Sequence, residues 1–357
     1  MTRSGTTTQG RAGTPGDGPA DQPGAGGQAS STAVGAADAP AAAPASGPAW
    51  WKDPGAWADW AALVGLVVLV VVFQAMNSTF LSLGNIEAML VAAAILIILS
   101  VGQTFVIATG GIDLSIASTM TFGAVAFGQS FTRGWPLLVC VLVALGAAGA
   151  VGLVNGLLIG RGRITDFIVT LGTLSAASGA ALILADGKPV TVINASLLKV
   201  STGGLWIFGW SFLIAVVVAV LAHVVLFRMR FGTHLLAAGG SPEAATANGI
   251  STARIKIAVY TVAGLLAGLA AVLLVARVGA AEPASNTAFL LNSVAAVVLG
   301  GVSLTGGRAT VLGPVIGALL LTALTNGLTL LGVSQFYQPL SVGVVVVLAA
   351  LLTRFQR

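Results

Sequence analysis

Apolar runs close to twenty residues long recur along this chain, separated by short polar links. Runs near 61–77, 87–108, 113–130, 136–160, 165–184, 207–227, 257–276, 288–304, 309–331 and 337–353 are almost free of charge. A helix needs about 20 such residues to cross the hydrocarbon of a bilayer. The pattern predicts an all-α polytopic membrane protein of about ten spans, with 288–304 short and 113–130 broken. Glycine and proline inside the spans are tolerable where neighbouring helices cover the backbone. The first 49 residues read differently. They are Gly, Ala, Pro, Ser and Thr with few large apolar side chains. Such a segment cannot bury enough surface to offset the entropy of ordering it, so a disordered tail is expected over 1–49. It has no apolar core of the kind a signal peptide needs. Trp50, Trp51, Trp57 and Trp60 follow as an interfacial anchor. The membrane domain is expected over 50–357.

Composition sharpens this picture. Of 357 residues, 56% are hydrophobic and 8% charged, against about 25% charged in soluble domains. A folded surface of this composition needs lipid as its solvent. The net charge of +5 follows membrane topology, and no nucleic-acid partner is expected. With the amino terminus inside and sides alternating, the cytoplasmic side receives Arg3, Arg11, Lys52, Arg161, Arg163, Arg228, Arg230, Arg254, Lys256, Arg308, Arg354 and Arg357. The outside receives Arg133, Lys188, Lys199 and Arg277. Twelve against four agrees with the positive-inside rule and places both termini in the cytoplasm. One cysteine, Cys140, and two histidines, His223 and His234, are too few for an intrachain disulfide or a Cys/His metal cluster.

TGGIDLSIASTM (109–120) puts a carboxylate, Asp113, between two apolar runs. A charge there costs about 2.5–3.5 kcal/mol on insertion scales, so it needs a reason. Three readings compete. Asp113 caps a helix that restarts after the Gly110-Gly111 break, accepting from the NH of Ser115 or Ile116. Alternatively it binds hydroxyls of a solute in a translocation path, or carries a proton or sodium ion. Cap is the leading reading. GGIDLSIASTMTFGAVAFG (110–128) also aligns with GGVSLTGGRATVLGPVIGA (300–318) at a constant offset of 190, which makes Ser303 the equivalent cap and suggests an internal repeat in the same orientation. Ser115, Asn155, Thr170, Thr173, Asn292 and Asn326 are further candidates for the path or the helix break. Each alone is more commonly interhelical glue than ligand.

The longest polar link runs from Arg228 to Lys256 and is predicted cytoplasmic. Inside it a short helix carries its own punctuation. Ser241 suits the N-cap, Pro242 the first helical position, and Glu243 the positive end of the helix dipole; Gly249 is a stop. Ala244 and Ala245 leave its face smooth, as suits a peg seated in a partner's groove.

Here the chain becomes similar to a known family. AAGGSPEAATANGI (237–250) resembles the cytoplasmic coupling loop of ATP-binding-cassette importer permeases. TGGIDLS (109–115) resembles the signature of their monosaccharide branch, the ribose/xylose/galactose-type permeases. RGRITDFIVTLGTL (161–174), NSVAAVVLGGVSLTGG (292–307) and LTNGLTLLGVSQFYQ (324–338) follow in the family's order. The resemblance covers roughly 60–355. It departs at Asp166, where the family usually has proline; Asp is a competent N-cap, which reads as one helix-start signal replacing another. The long tail is also outside the family's pattern.

The resemblance implies a plasma-membrane subunit, dimeric with a second permease copy. It would be served by a separate ATP-binding-cassette ATPase holding ATP and magnesium, and by an extracellular or periplasmic solute-binding protein. Ser241, Pro242, Glu243, Ala244, Ala245 and Gly249 would then contact the ATPase. No G-x-x-x-x-G-K-[ST] loop occurs in this chain, nor an H-E-x-x-H motif or a nucleophile–base pair. No cofactor or metal is expected in the chain itself, and no enzymatic activity. The alternative is a proton- or sodium-coupled secondary transporter, which would leave the coupling-like loop unexplained.

Overall fold

The computed structural model describes residues 54–284 and 287–354. The tail expected over 1–49, with Trp50 and Trp51, lies outside them. Each of the ten expected spans contains a helix. These are α1 (Pro54–Met76), α2 (Leu83–Ala108), α3 (Ile116–Thr132), α4 (Leu137–Gly160), α5 (Asp166–Leu184), α7 (Trp210–Arg228), α10 (Thr252–Val278), α11 (Thr287–Leu299), α12 (Leu312–Leu330) and α13 (Gln338–Arg354). Among the described residues six are long and apolar enough to cross a membrane: α2, α4, α5, α7, α10 and α12. The two spans expected to be short or broken are so. α3 has 17 residues and α11 has 13, because Gly110-Gly111 and Gly300-Gly301 interrupt the runs. α1 begins earlier than the expected 61, at Pro54.

Four pieces between the spans were not expected. α6 (Ala195–Thr202) is capped by Asn194, whose side chain accepts from the NH groups of Ser196 and Leu197. α8 (Arg230–Gly240) occupies the first part of the long polar link, ahead of α9 (Pro242–Ala247). Two short ladders complete the set. β1 (Val190–Thr191) pairs antiparallel with β4 (Ala280–Ala281), and β2 (Gly204–Leu205) with β3 (Phe208–Gly209).

These links fix which loops share an end of the bundle. The β1–β4 ladder joins the carboxyl ends of α5 and α10, and Gln129, late in α3, donates to the carbonyl of Leu184. The other end holds the close of α2, α4 and α11 and the start of α3, α5, α10 and α12. Arg161, Arg163, Arg228, Arg230, Arg254, Lys256 and Arg308 all fall there, as the charge count requires.

The core is α2 and α10. α2 is buried continuously from Leu90 to Ala108 except at Ala92. α10 lies along α4 through a seam of small residues. Gly152, Gly156 and Gly160 recur every four positions on α4 and face Gly264, Ile257 and Ala253 of α10, while Gly268 of α10 lies against Ala144 and Leu145 of α4. A Cβ on Gly156 would stand 2.7 Å from the Cα of Ile257, and one on Gly264 2.6 Å from the carbonyl oxygen of Ala148. Lipid tails are as apolar as leucine, so helix association here depends on such close backbone packing. Gly156→Val is expected to cost about 1–3 kcal/mol through overpacking against unyielding backbone. Gly179→Ala, where an added Cβ meets nothing within 4 Å, is expected to be neutral. Thermal unfolding in detergent, followed by size-exclusion chromatography, checks both.

Candidate functional site

α9 is written as its sequence reads. Ser241 at the N-cap accepts from the NH of Ala244 at 3.3 Å, Pro242 opens the helix, and Glu243 lies in its first turn. Gly249 has φ 79°, a left-handed stop that a side chain resists. The NH of Ile250 donates to the carbonyl of Ala245 at 3.0 Å, closing the end. The faces divide. Pro242, Glu243, Ala244, Thr246 and Ala247 are exposed, whereas Ala245 is buried in the core. The expected smooth outer face therefore holds for Ala244 but not for Ala245, which anchors the helix to the body.

Behind α9 three stretches of backbone converge. The NH of Gly307 donates to the carbonyl of Ala108 at 3.0 Å. A Cβ on Gly239 would stand 2.9 Å from the nitrogen of Gly307, and one on Gly306 2.7 Å from both the nitrogen of Gly110 and the carbonyl of Gly239. Both helix breaks, 109–115 and 300–311, thus meet the end of α8 where the chain turns into α9. The two copies of the suspected repeat start from the same end, as expected. The local detail differs. At the second break α12 starts at Leu312, and Ser303 caps no helix; its hydroxyl contacts that of Thr305 at 2.8 Å.

Asp113 is buried at this break. One carboxylate oxygen accepts from the NH of Ser115 at 2.8 Å and from its hydroxyl at 2.6 Å. Asn155 on α4 donates to the same hydroxyl at 2.8 Å. Asp113 closes the turn that leads into α3 rather than capping the helix. Ser115 holds the N-cap position with helical backbone and makes no side-chain cap bond. Beside it the carbonyl of Ile112 accepts from Thr170 at 3.3 Å and from the Tyr260 hydroxyl at 3.4 Å.

Asp166 corrects a second expectation. Thr165, not Asp166, is the N-cap of α5, and Asp166 reaches across to α10. It pairs with the Lys256 ammonium at 2.9 and 3.1 Å and accepts from the Tyr260 hydroxyl at 2.9 Å. Lys256 and Tyr260 are four residues apart on α10, so both fall on one face. That spacing was visible in the sequence, but nothing local tied it to position 166. A cavity of about 590 Å³ opens beside this pair, with Arg161, Arg163, Asp166, Thr252 and Lys256 in its wall.

The remaining candidates separate. Thr173 bonds within its own helix, to the carbonyls of Val169 and Thr170. Asn326 exchanges two hydrogen bonds with Asn85, at 2.9 and 3.0 Å, joining α12 to the start of α2 at the end opposite the break. Asn292 is half-buried on α11. Gly110, Gly111, Asp113, Ser115, Asn155 and Thr170 are therefore brought together. Thr173, Asn292 and Asn326 lie outside that cluster.

The chain matches the family described as "Branched-chain amino acid transport system / permease component" over residues 85–352. It is 36% identical over 299 residues to the ribose import permease protein of Bacillus subtilis (strain 168), covering 82% of this chain and 91% of the relative. It is 37% identical over 302 residues to the ribose import permease protein of Escherichia coli (strain K12), covering 81% and 92%. An L-arabinose ABC transporter permease protein of Azospirillum brasilense is 34% identical over 295 residues, covering 82% and 87%. No solved structure matches the chain.

Two outcomes are expected from the break cluster. Asp113→Asn keeps an oxygen for both Ser115 bonds and should retain membrane level and transport, whereas Asp113→Leu leaves the turn unclosed and should lose both. Immunoblots of membranes with uptake assays separate the two. Lys256→Met strands a mostly buried carboxylate and should cost about 1–3 kcal/mol, between the ranges for exposed and buried pairs. Asp166→Asn should recover part of that loss in the double variant, which a double-mutant cycle on thermal stability reads.

Proposed function

The chain belongs to this family of transport-system permease components, and from that premise we propose that it is the membrane subunit of an ATP-driven importer. Its solute on this reading is a monosaccharide or a similar polyhydroxylated molecule, as the names of its ribose and L-arabinose relatives suggest. The observation that carries the reading is the placement of α9. A small capped helix stands exposed directly over the junction of both helix breaks. An ATPase that seats on α9 pushes on the backbone of Gly239-Gly240, and through it on Gly306-Gly307 and Ala108–Gly110. ATP and magnesium belong to that second chain, and a solute-binding protein delivers at the opposite end. The charge count supports α9, and both termini, on the cytoplasmic side. A second copy of the permease completes the assembly, and lipid covers the exposed apolar flanks of α4 and α5. Ion-coupled transport has less support. Asp113 is engaged by Ser115 and Asp166 by Lys256, so neither is a free carboxylate.

The deciding experiment reconstitutes the full chain with the ATPase and binding protein encoded beside it and measures ATP-dependent uptake of D-ribose into proteoliposomes. Glu243→Arg with Ala244→Trp should lower ATPase co-purification and uptake by about tenfold or more, the loss of one good interface contact, with membrane level unchanged. Normal uptake in that variant would refute the role of α9. Substitution at the buried Ala245 should lower the protein level as well.

A further inference from the structure

Hydroxyls in this bundle are almost uniformly turned back onto their own helix. Thr104, Thr121, Ser130, Thr173, Ser293, Thr322 and Thr325 each donate to a carbonyl three or four residues earlier. That is the usual way a polar side chain is satisfied in an apolar bundle. Ser100, Gln103 and Thr119 break the pattern. All three are buried, and among the described residues the hydroxyls of Ser100 and Thr119 and both polar atoms of the Gln103 amide have no hydrogen-bond partner. Leaving a buried polar group unpaired forfeits its hydration with no bond in return. For Gln103 both ends of the amide are unmatched.

Their positions are related. Ser100, Gln103, Thr104 and Ile107 fall at the i, i+3, i+4 and i+7 positions of α2, one stripe of the helix. Ile107 packs against Val297 of α11 and Val302 of the break that follows it. α2 and α11 end at the same junction, so they run parallel there. One turn back from the Ile107–Val297 contact, about 6 Å along the axis, stand Gln103 on α2 and Ser293 on α11. Ile116 of α3 comes within 3.5 Å of the place a Cβ on Gly102 would take. Thr119 is one turn further along that same stripe of α3. Ser100 and Gln103 thus lie on the stripe of α2 that packs against α11, one to two turns inside the junction beneath α9, and Thr119 lies on the stripe of α3 whose Ile116 reaches Gly102, the residue beside Gln103.

We propose that Gln103, with Ser100 and Thr119, is a hydroxyl-binding subsite of the translocation path, covered as α2 and α11 pack here and uncovered when the Gly306-Gly307 loop withdraws from Ala108. An amide offers a donor and an acceptor, and hydroxyls supply the third and fourth partners. That combination suits vicinal hydroxyls of a sugar, which can fill both ends of one amide at once. An inert structural role would have bonded these groups to backbone, as their neighbours are bonded. This inference rests on the importer reading above and adds the residues that touch the solute.

The test uses the reconstituted full transporter with D-ribose and 2-deoxy-D-ribose as probes, and compares wild type with Gln103→Leu, Gln103→Met and Thr119→Val. Replacing an unpaired amide by an apolar side chain should leave the melting temperature unchanged or raised. D-Ribose uptake should nevertheless fall about tenfold, the worth of one such hydrogen bond, and the preference for ribose over its deoxy analogue should shrink. Unaltered uptake and preference in both Gln103 variants would overturn the subsite. So would a drop in melting temperature that tracks the loss of uptake, because it would make the residue structural. Absence of ATP-driven D-ribose uptake in wild type is a different result: it removes the importer reading itself, and this inference with it.

Discussion

A helix that breaks inside a bundle in hydrocarbon leaves backbone groups with no water to satisfy them. Everything at the functional end of this protein follows from that constraint. The breaks at 109–115 and 300–311 are tolerable because they cover one another, with the Gly307 NH closing on the Ala108 carbonyl. Close approach of three backbones requires glycine at the contact, and Gly110, Gly239, Gly306 and Gly307 supply it. Once both breaks are packed against the end of α8, the position of α9 is set as well. The exposed helix α9 is thereby one rigid step from the two places where the bundle is least continuous.

The polar residues around the break serve the same end by a second route. Asp113 closes the turn through Ser115, Asn155 holds Ser115 from α4, and Thr170 and Tyr260 occupy the Ile112 carbonyl. Asp166 and Lys256 then bind α5 to α10. Four helices are thus fastened to one turn, mostly by neutral hydrogen bonds, with a single ion pair at the rim where side chains begin to meet water. The Asp166–Lys256 pair sits outermost, and within it lie hydroxyls, amides and the one buried carboxylate, Asp113, held by two hydrogen bonds from Ser115.

The spans were legible in the sequence because hydrocarbon imposes a length and a composition that few other structures share. The breaks were legible because paired glycines followed by a polar residue punctuate an apolar run. α9 could be read to its residues, since its cap, proline, acid and terminal glycine are all local signals. What could not be read were pairings between positions remote along the chain. Asp166 does begin α5, but it was read as the cap alone because only its own segment was in view, and its partners lie 90 and 94 residues away. Asn85 and Asn326, 241 residues apart, are the same case. Asp113 was placed correctly at the break and its bond to the Ser115 NH was named, but the N-cap position falls to Ser115, because a turn of this kind and an N-cap share the same residue preferences.

The apparent internal repeat shows how far such likeness extends. Both copies open with paired glycines and both feed the same junction from the same end. Yet the first restarts its helix at Ile116 and the second at Leu312, six residues later in the shared register. The extra backbone at 302–311 brings Gly306 and Gly307 back against Gly110 and Gly239. A strict repeat would have left two identical turns side by side with nothing to reach the end of α8 before α9. The divergence therefore does what symmetry could not: one break is fastened to the surrounding helices, and the other, longer one is free to lie between that fixed point and α9. If force enters at α9, the loop best placed to move is the second, and the helix it carries is α11, the wall against which the stripe of Gln103 is packed.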